Sequence, residues 1–452
     1  MSAPKQKFTP EAGSSLIQAL EVNPTIASLI SQTRRRIQAE PTALLSHFRT
    51  LDRQLLQNDV AETVSVGANE VLIGSLHSLE TRPLRSCLAR AGTHGIEGLV
   101  SVYQQAEGRE LAALNLLCAN QCLPVDSLWL HFLNKYLSHQ NPELPRRDNR
   151  FSIHLGRGSE SRFQRLQAAS ALPTIAKGPL VSVLMPVFNA QATLAVAVSS
   201  ILGQTWQNWE LLLVDDASTD ESLELCQQWS LKDPRIRVIS LRRNGGPYVA
   251  KNVGLSLVHG DFLTVHDADD WAFPTRLEDQ LQPLLEGQEL KHVSVGASLR
   301  MTTEGRITRF DQPLEIDGAL RWCHPSPLFR RSFFQERMGA WDSVRFGADT
   351  EILERMLRFA PEKVAMLPTP VMLQLDQEGS LTRQGESFIG PQGASPKRVA
   401  YRQSWKDWHQ QQVQLPRLVF PQRTRSFAVP NGMQTHALGV EDLIDVRQSR
   451  RL

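Results

Sequence analysis

The sequence predicts an α/β fold for its second half, built on a Rossmann-like, mixed but mainly parallel sheet, with an all-helical domain before it. From Leu180 onward, short strands rich in Val, Leu and Ile alternate with helical stretches, which is the pattern of parallel strands joined by crossover helices. These strands are continuous apolar runs, as expected when both faces of a sheet are covered. Before about residue 145, apolar residues recur at helical spacing instead.

These patterns divide the chain into four segments. Residues 1–145 are predicted to form a helical domain of unknown role, and residues 146–178 a polar, basic linker with one short helix. Residues 179–389 are predicted to form the α/β domain. Residues 390–452 are predicted to hold one helix and a loosely attached tail, because this region is rich in Gln, Arg and Pro.

Composition excludes several classes of protein. The net charge of +2 is too small to indicate a nucleic-acid partner. No apolar run reaches the roughly 18–20 residues that a membrane span needs. The first residues lack the apolar region of a secretory signal, and the five cysteines are an odd, low count typical of reduced thiols. We therefore expect a cytoplasmic protein, with peripheral attachment to the inner face of the membrane left open.

The individual elements of the α/β domain follow from the same periodicities. Strands are predicted over residues 181–188, 210–216, 235–241 and 261–267, and helices over residues 192–202, 218–230, 247–258, 350–359 and 399–411. Ser218 is predicted to cap its helix, with Glu221 three residues later completing a capping box.

Polar or glycine-containing sequences follow the ends of the first four strands. Because ligands of open parallel sheets bind beyond the carboxyl ends of the strands, we expect these sequences to converge on one site. They are Pro186 to Asn189, Asp215 and Asp216, the turn Asn244-Gly245-Gly246 with Lys251 after it, and the acidic group Asp267, Asp269 and Asp270.

The acidic group carries the sharpest signal. Three carboxylates this close repel one another unless a cation or solvent compensates. Hard divalent cations such as Mg²⁺ and Mn²⁺ prefer oxygen ligands, and they commonly take one or two carboxylates together with substrate phosphates. An EF-hand calcium loop is rejected because Ala272 stands where that loop needs glycine.

The order and spacing of these four sequences resemble family 2 glycosyltransferases of the GT-A fold. The resemblance covers the stretch from about Leu180 to Arg383. It implies that Asp267 and Asp269 hold a divalent metal, Mn²⁺ or Mg²⁺, which neutralises a departing nucleoside diphosphate. One departure concerns Lys251, which replaces the arginine usual in the family and serves a phosphate as a point charge only.

The resemblance also assigns the nucleotide pocket. It implies that Pro186 and Asn189 line this pocket and that a carboxylate after the second strand, Asp215 or Asp216, accepts hydrogen bonds from the base or ribose. Asp267 and Lys251 would complete the donor side. Asn189 as a turn residue only, and Lys251 as a solvated surface cation, are the alternatives.

An inverting transferase needs a carboxylate to take the proton of the acceptor hydroxyl. By resemblance this base is Asp349, in a segment where Ala348 replaces the common glutamate. Asp349 as a plain helix cap is the alternative, and Glu351 is a weaker rival base. His324, in a His-Pro-Ser segment, and Asp270 are assigned to the acceptor or phosphate side, with a structural histidine as the alternative.

The resemblance implies transfer of one sugar, with inversion, from a nucleoside-diphosphate sugar (a UDP-sugar by default) to a hydroxyl of a glycan or lipid-linked acceptor in surface polysaccharide or glycoconjugate synthesis. Two alternatives remain open. A nucleotidyltransferase is disfavoured because its Gly-rich, basic signature is missing after the first strand. A non-catalytic nucleotide-binding or scaffold protein of the same fold is conceivable because Ala348 and Lys251 depart from the family pattern.

Overall fold

The computed structural model describes residues 150–169, 172–286, 291–308, 319–377, 387–390 and 393–435, with residue 380, residues 443–444 and parts of 115–138. Most of the helical domain predicted over residues 1–145 lies outside the described residues. Within them, Asp126–Ser138 is a helix.

The chain divides into two compact units. The first comprises Met1–His139 and Arg306–Ala319, and the second comprises Gln140–Gly305 and Leu320–Leu452. The second unit contains every residue to which the sequence assigns chemistry.

The described helices are α1 (Asp126–Ser138), α2 (Leu194–Leu202), α3 (Ser222–Lys232), α4 (Pro247–Leu255), α5 (Arg276–Leu285), α6 (Arg331–Phe333), α7 (Ala348–Phe359) and α8 (Pro396–Gln410). The described strands are β1 (Ile153–Leu155), β2 (Leu166–Ala168), β3 (Val181–Val187), β4 (Trp209–Asp215), β5 (Ile236–Leu241), β6 (Phe262–Val265), β7 (Trp271–Ala272), β8 (Val293–Met301), β9 (Ile307–Thr308), β10 (Arg321–Trp322), β11 (Leu328–Arg330), β12 (Val364–Leu375), β13 (Ile389–Gly390), β14 (Gly393–Ala394) and β15 (Leu443–Ile444). A π-helical turn (Phe334–Met338) continues α6, and a 3-10 turn (Pro361–Lys363) follows α7. The predicted helices and strands of the α/β domain are confirmed, with shifted ends.

The main sheet of the second unit has the strand order β15-β5-β4-β3-β6-β11-β8-β12-β7. Its strands β5, β4, β3 and β6 are parallel, whereas β11 runs antiparallel to both of its neighbours. The mixed, mainly parallel sheet is therefore confirmed. Val187 lies opposite Asp215, and Asp215 lies opposite Ser240. This register brings the carboxyl ends of three parallel strands to one level at the same edge.

Alternate side chains of the central strands enter two hydrophobic cores, one on each face of the sheet. Leu184 and Leu212 belong to the core that also contains residues of α4 and α7. Val183 and Leu211 belong to the core that contains α2 and part of α5. Burying such a side chain stabilises the fold by about 1.5–3 kcal/mol, which explains why apolar residues predominate on both faces of β3 and β4.

The segment predicted to be a linker with a short helix instead contains a hairpin, in which β1 pairs antiparallel with β2. Phe151, just before β1, packs edge-to-face on Phe273 with ring centroids 5.9 Å apart. Arg150 forms an ion pair with Asp279 of α5. The hairpin therefore packs on the α/β domain.

The C-terminal tail also differs from the prediction, because residues 411–435 pack on the domain. Trp405 and Trp408 of α8 enter the α4–α7 core together with Phe427 and Met433. A guanidinium nitrogen of Arg425 lies 2.6 Å from Oδ1 of the buried Asp342. Farther on, β15 pairs antiparallel with β5 and stands at the end of the strand order. Among the described residues, no helix is both long and apolar enough to cross a bilayer.

Candidate active site

The first loop of the site follows β3. Pro186 is half-buried near the end of that strand, and Asn189 adopts a left-handed conformation with φ of 48°. The Asn189 side-chain oxygen accepts the N–H of Thr219 at 2.8 Å, and its own N–H donates to Ser218 Oγ at 3.1 Å. Phe188, which lies between Pro186 and Asn189 in the sequence, is 49% exposed. Asn189 therefore joins the loops after β3 and β4 while an aromatic face stays open to solvent.

The predicted capping role of Ser218 is wrong. Helix α3 begins at Ser222, its preceding residue Glu221 makes no capping bond with its side chain, and the Ser218 hydroxyl is taken by Asn189. The side chain of Asp220 accepts the N–H of Ser222 at 3.0 Å instead. Ser218 has the spacing of a helix cap, but its hydroxyl accepts a hydrogen bond from a neighbouring loop. Spacing within one segment does not reveal such a contact.

The two carboxylates after β4 are both buried and hydrogen-bonded. Asp215 accepts from Ser240 Oγ at 3.0 Å. The two oxygens of Asp216 accept the N–H groups of Gly245 and Gly246, each at 2.7 Å. Burial raises the pKa of Asp216 to about 6, although these two N–H groups oppose the shift. Asp216 thus holds the glycine turn, and the choice between Asp215 and Asp216 as a nucleotide contact stays open.

The glycine turn leads directly into α4. Gly246 has a φ of +86°, a conformation that favours glycine, and Pro247 is the first helical residue, where its missing N–H costs nothing. Asn244, before the turn, donates to the carbonyl of Asp216 and accepts from a guanidinium nitrogen of Arg345 at 2.7 Å. Arg345 was not singled out from the sequence, because its link to the turn spans 101 residues.

Helix α4 carries Lys251, whose ammonium group can take part in the chemistry of the site, and Asn252, which bonds a neighbouring segment. Lys251 is 3% exposed, and its Nζ lies 3.3 Å from Oδ1 of Asp267. The same nitrogen stands 5.1 Å from the ring centre of Tyr248, one helical turn earlier. Asn252 bonds both backbone groups of Trp341, at 2.8 and 3.0 Å. Lys251 is therefore a buried cation of the site and not a solvated surface lysine.

The acidic loop after β6 separates into two kinds of carboxyl group. Asp267 and Asp269 are partly exposed. Burial and then the neighbouring charge of Asp267 raise the pKa of Asp269 to about 6. Asp270 is only 3% exposed, accepts the N–H of Leu375 at 3.0 Å, and has a pKa raised well above its usual value by burial. Asp270 therefore anchors β12, and the structure does not present it to an acceptor.

The carboxylate ligands that the protein offers suit a divalent cation only if the substrate supplies the remaining ligands. No group of three or more His, Cys, Asp or Glu side chains with metal-binding geometry occurs among the described residues. Asp267 and Asp269 offer two partly exposed carboxylates, which is the protein share that Mg²⁺ or Mn²⁺ takes when phosphate oxygens supply further ligands. Lys251 already neutralises one of these carboxylates. The residues present thus fit a metal bound together with a diphosphate.

A buried polar network that the sequence did not predict supports the acidic loop from behind. Arg276, fully buried on α5, donates to Thr264 and to the carbonyl of Val265. It also bonds Nδ1 of His266 at 2.9 Å and Gln280 at 3.1 Å. Burial lowers the pKa of His266 well below its usual value, so this imidazole is neutral. The network fixes the end of β6, from which Asp267 projects.

Asp349 lies in the first turn of α7. Its Oδ1 accepts the hydroxyl of Tyr248 at 2.9 Å and the N–H of Thr350 at 2.9 Å. Among the described residues, no hydrogen-bond donor reaches its Oδ2. Burial alone would raise its pKa, but the charges of Lys251 and His324, with the Tyr248 hydroxyl, hold that pKa below its usual value. Asp349 is therefore ionised at neutral pH.

Glu351, the rival base, occupies a different environment. It is fully buried, with Arg355 Nε at 3.1 Å and His409 Nε2 at 3.0 Å from the same carboxylate oxygen. Its role is an ion pair in the core between α7 and α8, away from any acceptor. His324 is half-buried just before β11, and its charge acts on Asp349. This places His324 on the side of the base.

Comparison with known proteins identifies the family. The family model for glycosyl transferase family 2 matches residues 182–335. A putative glycosyltransferase of Bacillus subtilis, EpsE, is 34% identical over 190 residues, which cover 41% of this chain and 68% of that protein. The succinoglycan biosynthesis protein ExoO of Rhizobium meliloti is 30% identical over 228 residues, 47% of this chain and 65% of that protein.

A third relative is matched over a shorter stretch. An uncharacterized glycosyltransferase of Haemophilus influenzae is 42% identical over 108 residues, 24% of this chain and 43% of that protein. The chain thus spans less than half the length of this relative. With two thirds of EpsE covered at 34% identity, the family predicted from the four strand-end sequences is confirmed, and the chain belongs to glycosyltransferase family 2.

Proposed function

We propose that the second unit transfers one sugar from a nucleoside-diphosphate sugar to an acceptor hydroxyl, with inversion at the anomeric carbon. The acceptor belongs to surface polysaccharide or glycoconjugate synthesis. The proposal rests on family membership and on the way that α4 brings the donor and acceptor sides of one site together.

The link through α4 is the observation that carries the proposal. Lys251 Nζ stands 3.3 Å from the carboxylate of Asp267. Tyr248, three residues earlier and therefore on the same face of the helix, bonds the carboxylate of Asp349 at 2.9 Å. The carboxylates suited to a metal and the carboxylate suited to a base thus border one space, as a displacement at the anomeric carbon requires.

On the donor side, the diphosphate would lie beside Lys251, with Asp267 and Asp269 holding the divalent cation. The bound cation would stabilise negative charge on the departing diphosphate. Asn189 and the exposed ring of Phe188 stand at the end of β3, where a flat base can stack. A uridine nucleotide is the donor that we propose by analogy with the family.

On the acceptor side, Asp349 would act through Oδ2, the oxygen that no described donor reaches. It takes the proton of the acceptor hydroxyl as that oxygen forms a bond to the anomeric carbon. The bond from that carbon to the diphosphate breaks, and its electron pair leaves with the nucleoside diphosphate. Attack from the face opposite the leaving group inverts the configuration.

The acceptor is the least defined part of the proposal. One relative is named as a succinoglycan biosynthesis protein, which supports a glycan or lipid-linked acceptor. With a lipid-linked acceptor, the protein would attach peripherally to the inner face of the membrane. Co-sedimentation with vesicles that contain polyprenyl phosphate tests this attachment. Pelleted vesicles that carry no protein would contradict it.

A panel of nucleoside-diphosphate sugars tests the activity itself. Each donor is incubated with the full chain, with Mn²⁺ or with EDTA, and release of the nucleoside diphosphate is measured. Proton NMR of the first turnovers then reports the anomer formed when water is the acceptor. Metal-dependent release of a β-sugar from an α-linked donor is expected. Consumption of added pyrophosphate, with formation of a nucleoside triphosphate and a sugar 1-phosphate, would indicate a nucleotidyltransferase, and nucleotide binding without any turnover would favour a scaffold.

A further inference from the structure

The contact between Tyr248 and Asp349 has a direction that the hydrogen-bond partners define. The Tyr248 oxygen lies 3.2 Å from the backbone nitrogen of Gly347 and 2.9 Å from Oδ1 of Asp349. The N–H of Gly347 can only donate, so the tyrosine oxygen accepts from it. An ionised carboxylate can only accept, so the tyrosine hydroxyl donates to Asp349.

The same contacts distinguish the two oxygens of Asp349. Oδ1 receives both the Tyr248 hydroxyl and the N–H of Thr350. Gly347, with φ of +93°, supplies the turn that brings its own N–H to the tyrosine before α7 begins. The carboxylate is therefore held by one oxygen, and no described hydrogen-bond donor contacts the other.

We propose that Tyr248 is a positioning residue for the base: its hydroxyl orients Asp349 so that Oδ2 faces the acceptor. This inference rests on the proposed function, because it gives that base an orienting partner. Tyr248 is 5% exposed and its phenol stays protonated, since burial raises its pKa well above the usual value. The hydroxyl therefore remains a hydrogen-bond donor at neutral pH.

Other groups also face Asp349, and they set the background for any change. Lys251 from α4, His324 from the loop before β11, and Arg398 from α8 all favour its ionised form. Replacing Tyr248 by phenylalanine leaves these charges in place and keeps the ring that lies beside Lys251. The variant therefore removes the orienting hydroxyl alone.

The chain offers a matched control. Tyr401 is likewise buried, and its hydroxyl donates to the buried carboxylate of Asp342 at 2.9 Å, within the core around α8. Tyr401→Phe thus removes the same group from the same kind of bond, but at a carboxylate other than the proposed base, and it keeps the ring of Tyr401 in place. A loss of stability common to both variants reports a structural effect only.

The experiment measures Tyr248→Phe against Tyr401→Phe with two readouts. The first is hydrolysis of the UDP-sugar that the wild type turns over fastest, with its affinity measured by calorimetry. We expect kcat to fall about 10- to 100-fold in Tyr248→Phe, since small errors in placing a catalytic group have effects of this size, with donor affinity unchanged. Tyr401→Phe keeps the wild-type kcat. Equal kcat values in the two variants would overturn the proposal.

The second readout does not need turnover. The ¹³C carboxyl resonance of Asp349, identified by its absence in Asp349→Asn, is titrated in both tyrosine variants. We expect its pKa to rise in Tyr248→Phe and to stay constant in Tyr401→Phe. An unchanged titration in Tyr248→Phe contradicts the positioning role, whether or not the wild type transfers sugar. Absence of any turnover in the wild type would count against the proposed function alone.

Discussion

Lys251 Nζ lies 3.3 Å from Oδ1 of Asp267, so the site carries its own cation beside the carboxylates that suit a metal. Lys251 is 3% exposed, whereas the Asp267 side chain is 30% exposed. The ammonium therefore has few alternative partners, while the carboxylate keeps a face toward the substrate. A divalent cation bound at Asp267 would compete with Lys251 for the same oxygen until a diphosphate supplied both cations with further ligands.

Lys251→Met should consequently act in opposite directions on two affinities. Without nucleotide, Mn²⁺ should bind about tenfold more tightly, because the competing positive charge is gone. With saturating Mn²⁺, UDP should bind about tenfold more weakly, because the diphosphate loses a cationic partner. Calorimetry of both ligands measures this, and Lys251→Arg is the charge-preserving control. A loss of both affinities in Lys251→Met would show that the lysine only supports the fold.

Substitutions of Asp269 and of Asp270 should have different effects on the metal-dependent binding of UDP. Asp269→Asn should abolish metal-dependent binding of UDP and leave the fold intact, because a ligand oxygen loses its charge. Asp270→Asn is the control, since a neutral amide still accepts the N–H of Leu375 that Asp270 accepts now. Calorimetry with Mn²⁺ and circular dichroism report binding and folding. Unchanged binding in Asp269→Asn would exclude this residue as a ligand.

Asp216 should make the stability of the protein depend on pH. Its pKa is raised by burial from 3.8 to about 6, so the folded state binds the proton more tightly than the unfolded state. The stabilisation is present below about pH 4 and is lost as the pH rises through 6. The shift corresponds to about 3 kcal/mol in the free energy of unfolding.

Urea unfolding between pH 4 and pH 7 tests this effect. Asp216→Asn removes the titrating group. The slope of the unfolding free energy against pH should therefore become shallower, by the amount that corresponds to about one bound proton. Other carboxyl groups titrate equally in both proteins and cancel in the comparison. Identical slopes for the wild type and the variant would mean that Asp216 keeps an ordinary pKa.

The packing of α8 predicts a large cost for a substitution that a helix without contacts to the domain would tolerate. Trp405 of α8 is 2% exposed within the core around α4 and α7. Trp405→Ala should reduce the free energy of unfolding by about 3–5 kcal/mol, the usual result of emptying such a site. Val413, which is 95% exposed, supplies the control, because Val413→Ala should change little. Equal stability of the two variants would mean that α8 does not pack on this core.

The parallel core of the fold was predictable because it is encoded locally. Strands β3, β4 and β6 are mainly apolar, and the polar residues at and after their carboxyl ends mark the edge of the sheet at which a site can form. Three features were not predictable in this way. The hairpin β1–β2 has strands of only three residues. Residues 411–435 lack any period, and their burial depends on distant partners. Ser218 had a capping pattern but was bound by Asn189.

The same distinction applies to the site. Asp267 and Asp269 were found from residue type and spacing, Asp349 was found through the resemblance to the family, and their roles remain proposals. Tyr248 was not found, because its contact with Asp349 spans 101 residues and a tyrosine in an apolar helix face reads as core. The buried Arg276 behind the acidic loop was missed for the same reason. A carboxylate can be recognised as a candidate functional group from the sequence, whereas the groups that orient it can be identified only from the folded structure.

Transfer by Asp349→Asn tests the central claim most directly, with Glu351→Gln as its control. The asparagine keeps the shape and the capping capacity of Asp349 but does not accept a proton, so kcat should fall by roughly 10²- to 10⁴-fold with donor affinity unchanged. Glu351→Gln breaks the buried ion pairs with Arg355 and His409 and should cost stability, while the folded fraction retains kcat. Initial rates of UDP release, normalised to the folded protein, decide the matter. An Asp349→Asn variant with a rate near that of the wild type would contradict the account.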